Sequence, residues 1–210
     1  MARSFEKLCK SSLKNSWPIY LLAFAALATG VAFGWLGVHA LQTETLGQLT
    51  QYLDNFVNKA NDVMIDRSQV VKNTVFNNLF FIGIIYILGL TVIGTPAILA
   101  LLFARGYSLG FTVAFLTQEK AGEGVILALT SVVPQNILLI PAVFLASVAA
   151  LSFSWLLIRR FGNSKLPVMS GILGYHVLML VVCCISAAAG IVEAFITPDL
   201  IKAAANFLKM

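Results

Sequence analysis

Residues 131–141 read Ser-Val-Val-Pro-Gln-Asn-Ile-Leu-Leu-Ile-Pro, so two prolines and two amides stand inside a long apolar tract. Pro134 and Pro141 each lack a backbone donor and oppose a straight helix. Gln135 and Asn136 each bring two amide donors and a carbonyl acceptor. Backbone groups freed by a helix break cannot stay unpaired in lipid. The two amides can therefore close the break, or they can present a site to an ion, a lipid or a partner residue. The other candidate is His176, beside Tyr175. A histidine inside a membrane segment invites a proton-transfer reading. A relay needs a second titratable group, and none is expected within the apolar cores. Arg105 is expected at the end of a span, and Glu193 at headgroup level. His176 then reads as a hydrogen-bonding structural residue.

Further chemistry is sparse. The chain has no HExxH, no GxSxG, no phosphate-binding glycine loop and no carboxylate pair at the membrane. Cys9, Cys183 and Cys184 suggest neither a disulfide framework nor a metal site. The expectation is a chain with no catalytic residue, no cofactor and no metal.

The elements that hold these residues must be membrane helices. The 210 residues are 59% hydrophobic and 11% charged, with a mean hydropathy of +0.89. A soluble domain of this size could not cover so much apolar surface, whereas lipid serves as its solvent in a multi-span protein. The net charge of +5 then carries orientation information rather than marking a nucleic-acid surface. The basic start, MARSFEKLCKSSLKNSW, precedes an apolar tract at Pro18–Val38. With no small-residue cleavage site after it, this tract is expected to remain as an anchor.

A spanning helix needs about 20 apolar residues. Hydropathy places membrane segments at Pro18–Val38, Leu79–Ala104, Gly106–Thr117, Gly124–Ile158 and Val168–Ile196, with a polar loop at His39–Asn78. The fold class predicted is all-α, a single polytopic membrane domain of about five segments. As one straight helix, Gly124–Ile158 would be about 52 Å long, too long for one crossing. A break near Pro134 resolves this, with a half-helix before it and Ile137–Ile158 as the crossing. A hairpin of 106–133 re-entering from the cytoplasm is the competing path. Lys and Arg cluster before the first span, at Arg105 and at Arg159–Lys165. The positive-inside rule puts these in the cytoplasm, and His39–Asn78 and the C-terminus outside.

Small residues at helix spacing set expectations for packing. Gly30 and Gly34, and Gly106 and Gly110, form two GxxxG pairs that let backbones approach. They serve contacts among this chain's own helices or a face for another protein. In the polar loop, Leu46, Leu49, Leu53, Phe56 and Ala60 recur three or four apart between polar residues. That is an amphipathic helix, able to lie on the membrane lipid or on a partner. Thr197-Pro198-Asp199 reads as the start of a second, weaker one. No internal repeat is evident, which disfavours a transporter built from repeats.

Two tracts carry a family resemblance: NNLFFIGIIYILGLTVIGTPAILALLFARGYSLGFTVAFL and LTSVVPQNILLIPAVFLASVAALSFSWLLIRR. They resemble the stage II sporulation protein M family of endospore-forming bacteria. The most specific element is SVxPQNIxLIPA. The basic tail, one early span, a polar loop of matching length and the end near Glu193–Pro198 agree, so the likeness covers nearly the whole chain. A broader related family usually has Pro-His-Gly where this chain has Pro134-Gln135-Asn136, which points to the sporulation branch. The resemblance implies a non-enzymatic membrane member of a complex that degrades septal peptidoglycan during forespore engulfment. It also implies stage II sporulation proteins D and P as partners, and a place on the mother-cell side of the septum. The alternative is a small transporter or channel whose path is lined by the 134–141 break.

Overall fold

A computed structural model describes residues 2–59, 67–162 and 168–208. Six helices follow in order: α1 Ala2–His39, α2 Thr43–Lys59, α3 Arg67–Gly89, α4 Gly94–Ser131, α5 Val133–Gly162 and α6 Val168–Leu208. Among the described residues there is no strand. Five stretches are long and apolar enough to cross a membrane: Trp17–His39, Ser68–Gly89, Gly94–Gln118, Asn136–Arg159 and Gly171–Leu200. The chain is thus an all-α, multi-span protein with a break beside Pro134.

The boundaries correct the hydropathy reading. Leu79–Ala104 is not one span: the chain turns at Leu90–Ile93, between the end of α3 and the start of α4. Gly106–Thr117 is the second half of a crossing that begins at Gly94. Gly124–Ile158 is shared between α4 and α5. The Ser68–Gly89 crossing begins inside the expected polar loop. No new helix starts at Thr197, because α6 runs through Pro198 to Leu208.

The turn at 90–93 escaped notice because its residues, Leu-Thr-Val-Ile, are themselves apolar enough to look like membrane. Several of its polar groups are satisfied within the chain. The N–H groups of Leu90 and Thr91 donate to Ile87 O and Leu88 O at 3.1 and 3.0 Å, and Thr91 Oγ1 donates to Leu88 O at 2.8 Å. Ser154 of α5 closes the turn from the side, donating to Thr91 O at 2.9 Å while its oxygen meets Thr95 Oγ1 at 3.0 Å. Gly94 is needed here: an added Cβ would collide with Leu88 O and stand 2.6 Å from Leu88 C. Pro96 then falls in the first helical turn, where a missing N–H is harmless.

α5 is the central helix, with 56% of its crossing window buried. Leu139, Val143, Ala146, Ala150 and Leu151 pack against Ile82 and Ile85 of α3, Ile98 and Leu102 of α4, and Met179 and Val182 of α6. α3 and α6 run antiparallel, since Asn78 meets Ser186 and Tyr86 meets His176. α1 and α4 run parallel, since Gly30 faces Phe103 while Gly34 faces Tyr107. The bundle therefore has two ends, named here the Trp17 end and the His39 end. The 90–93 turn and Arg159 lie at the Trp17 end; α2 lies at the other.

Candidate functional site

Where α4 gives way to α5, the polar stretch 131–141 takes its shape. Val132 caps α4 in a right-handed helical conformation (φ −96°, ψ −41°), and its N–H donates to Ala128 O. Pro134 sits in the first turn of α5, the place where its missing donor matters least. Asn136 is 5% exposed, and its Nδ2 donates to Val132 O at 2.7 Å. The amide thus closes the break on its own chain rather than on a neighbouring helix. Its Oδ1 is buried without a hydrogen-bond partner. The Gln135 side chain lies outside the described residues. Pro141 stands inside α5, so the carbonyl of Ile137, on a largely exposed residue, has no N–H to receive four residues on.

Asn136 lines a groove of about 360 Å³ between α1, α4 and α5, with Trp35, Leu109, Gly110, Val113 and Ile140. Val132 and Val133 line it too. The groove walls are almost wholly aliphatic, which gives an ion or a hydrated solute little to bind.

All four GxxxG glycines meet in one seam between α1 and α4. An added Cβ on Gly30 or Gly34 would collide with the carbonyl oxygen of Phe103 or Tyr107, and one on Gly106 or Gly110 with that of Leu27 or Val31. Both sides lack side chains where the backbones touch, as close helix approach in lipid demands. These glycines are occupied within the chain.

His176 has a defined hydrogen-bond role. Its Nδ1 lies 2.8 Å from Ile172 O, and a carbonyl can only accept, so Nδ1 carries the proton. Nε2 then accepts from Tyr86 OH at 2.7 Å. Tyr175 stacks between Tyr86 and Phe153, with centroids at 5.5 and 4.9 Å, and donates to Tyr86 O at 2.9 Å. Together they staple α3 to α6.

Charge inside the membrane is where sequence reasoning missed. Arg105 does not end a span; it stands near the middle of the Gly94–Gln118 crossing. Glu193 is half-buried and stands toward the far end of the Gly171–Leu200 crossing, seven residues before Leu200. The two attract each other electrostatically across α4 and α6. Arg105 Nε is buried without a hydrogen-bond partner. Charged residues inside a membrane segment pair with one another or with backbone carbonyls, and Glu193 is an acid that faces Arg105 from α6. Reading Gly94-Thr95-Pro96 as a helix start would have placed Arg105 mid-span from sequence alone.

At the His39 end, α2 is amphipathic as its spacing predicts. Leu46, Leu49 and Leu53 pack against Val38 of α1 and Phe111, Ala114 and Phe115 of α4. The stripe is seated on the chain's own helices rather than on lipid. Phe56 lies on α2, but its side chain, like Ala60 as a whole, is outside the described residues. The opposite face exposes Gln48, Gln51 and Asn55, flanked by Tyr52 at 75% exposure. Cys183 and Cys184 are free thiols. Among the described residues, no three of His, Cys, Asp and Glu gather as a metal site.

The family model of stage II sporulation protein M matches residues 23–198, from within the first crossing to the end of the last. No curated protein and no solved structure matches the chain.

Proposed function

Because the chain belongs to the stage II sporulation protein M family, a family of multi-span sporulation membrane proteins, we propose that it is a non-enzymatic scaffold. It holds a septal peptidoglycan-degrading complex during septum migration and forespore engulfment, with stage II sporulation proteins D and P as its partners. It sits in the mother-cell membrane with the Trp17 end in the cytoplasm and the His39 end outside. The basic residues before the first crossing and at Arg159–Lys165 support that orientation.

The observation that carries this reading is the seated helix α2. Leu46, Leu49 and Leu53 of its apolar stripe pack against α1 and α4. What it offers outward is a polar face edged by one large, exposed aromatic, Tyr52, the kind of side chain that anchors protein interfaces. In the interior, Tyr86, Ser154, Tyr175 and His176 bond from one helix to another. The aliphatic groove at Asn136 speaks against the channel alternative, since a path for ions needs polar groups stacked along several helices.

The test is a Tyr52→Ala, Gln48→Ala variant expressed during sporulation. Membrane abundance should be normal, while co-purification of stage II sporulation proteins D and P and engulfment should both fall. Intact co-purification and engulfment in that variant would exclude α2 as the docking face.

A further inference from the structure

A second groove, of about 410 Å³, opens between α1, α5 and α6 at the Trp17 end of the bundle. We infer that it is a binding site for one anionic phospholipid of the leaflet at that end. The acyl chain lies along α5 and α6, and the phosphate rests on Arg159.

Three features point to this occupant. The first is length and depth. The groove reaches along α5 from Arg159 to Leu145, roughly 20 Å at the usual helical rise. That is somewhat more than half of the roughly 30 Å hydrocarbon thickness, the reach of one leaflet's chain with its headgroup outside. The second is the reason the groove exists. Gly174 of α6 faces it without a side chain, and an added Cβ there would meet nothing within 4 Å, whereas at Gly171 Leu156 Cδ2 stands 2.7 Å from where a Cβ would be. The space beside Gly174 is left open, and in a bilayer a lipid chain fills such space.

The third feature is charge and its placement. Arg159 is exposed at the mouth, its guanidinium 5.7 Å from the centre of the Trp155 ring. Tyr20 and Trp155, both wall residues, are the amphipathic aromatics that settle at the headgroup boundary. None of the residues described as lining the groove is acidic, so nothing in it competes for the cation. Arginine's planar fork matches phosphate oxygens. The sequence adds Arg160 and Lys165 with no acid between, and each basic residue near an anionic surface is worth about 1 kcal/mol. This net positive charge favours an anionic over a zwitterionic headgroup.

The test uses the full chain, purified and delipidated. It is titrated with phosphatidylglycerol or with phosphatidylcholine of the same acyl chains, and thermal unfolding and native mass spectrometry are read out. Phosphatidylglycerol should be retained one per chain, at least tenfold more tightly than phosphatidylcholine, and should raise the unfolding temperature. Arg159→Gln should lower that preference to near parity and leave stability in phosphatidylcholine unchanged; Arg159→Lys should keep part of it. Gly174→Leu, which fills the groove from a position with room for it, should abolish one-to-one retention of both lipids. Equal retention of the two lipids by the native chain would overturn the inference. So would undiminished preference in Arg159→Gln, or undiminished retention in a folded Gly174→Leu. Bound lipid is measured on the isolated chain, so these outcomes stand apart from any failure of hydrolase recruitment.

Discussion

Replacing Gly106 by alanine adds one methyl group to the seam between α1 and α4. The added Cβ would collide with Leu27 O and stand 3.1 Å from Val31 N and 3.2 Å from Leu27 C. These are backbone atoms of a facing helix, so no rotamer change relieves the contact. Either α1 and α4 separate by about 1 Å or their crossing shifts, and the close contacts along Gly30, Gly34 and Gly110 loosen together. Overpacking of this kind costs about 1–3 kcal/mol. Alanine's better helix propensity returns up to about 1 kcal/mol. The net expectation is a loss of about 1–2 kcal/mol. Gly83 of α3 is the internal control, since an added Cβ there meets nothing within 4 Å. Gly83→Ala should be neutral or slightly stabilising. Equilibrium unfolding in one detergent measures both, and a difference of 1.4 kcal/mol is tenfold in the unfolding constant. Gly30→Ala combined with Gly106→Ala should lose less than the sum of the singles, because one separation accommodates both methyl groups. Equal stability of Gly106→Ala and Gly83→Ala, or strict additivity of the seam pair, would refute the close-approach account.

Three further outcomes are expected. Arg105→Leu or Glu193→Leu alone leaves one charge in the crossing without its opposite and should lower membrane abundance, since removing one partner is costlier than replacing both; the double leucine variant should regain most of the loss, and a double variant no better than the singles would count against the pairing. Leu49→Ser with Leu53→Ser should release α2 from Val38 and Phe115, at about 1 kcal/mol for each half-buried leucine; faster cleavage within 43–59 by a protease added to the purified protein would report it, and unchanged cleavage would count against the seating. Asn136→Ala removes the bond to Val132 O along with a buried unpaired oxygen, so these partly cancel and a loss under about 1.5 kcal/mol is expected by thermal unfolding; a fully folded but inactive variant would instead mark Asn136 as a contact for a partner.

Much of the architecture is legible in the sequence, because lipid imposes simple rules. Apolar length per crossing, internal backbone satisfaction and small residues at close contacts are one-dimensional signals. They determine the all-α membrane class, five crossings, the break beside Pro134, the amphipathic character of 43–59 and the two GxxxG pairs. Hydropathy sums over windows, however, and cannot see a turn made of apolar residues. Leu90–Ile93 is such a turn, and Ser154, distant in sequence, donates to Thr91 O there. Shifting that one boundary moves Arg105 from a presumed interface to the middle of a crossing, where its partner is Glu193 on α6. Which glycine pairs face each other, which helix receives the α2 stripe and where Gly174 leaves a groove also depend on the packing of segments far apart in the chain. Spacing along one helix records which face is small or apolar. Only the tertiary structure decides what that face meets, because the energy of a contact belongs to both surfaces at once.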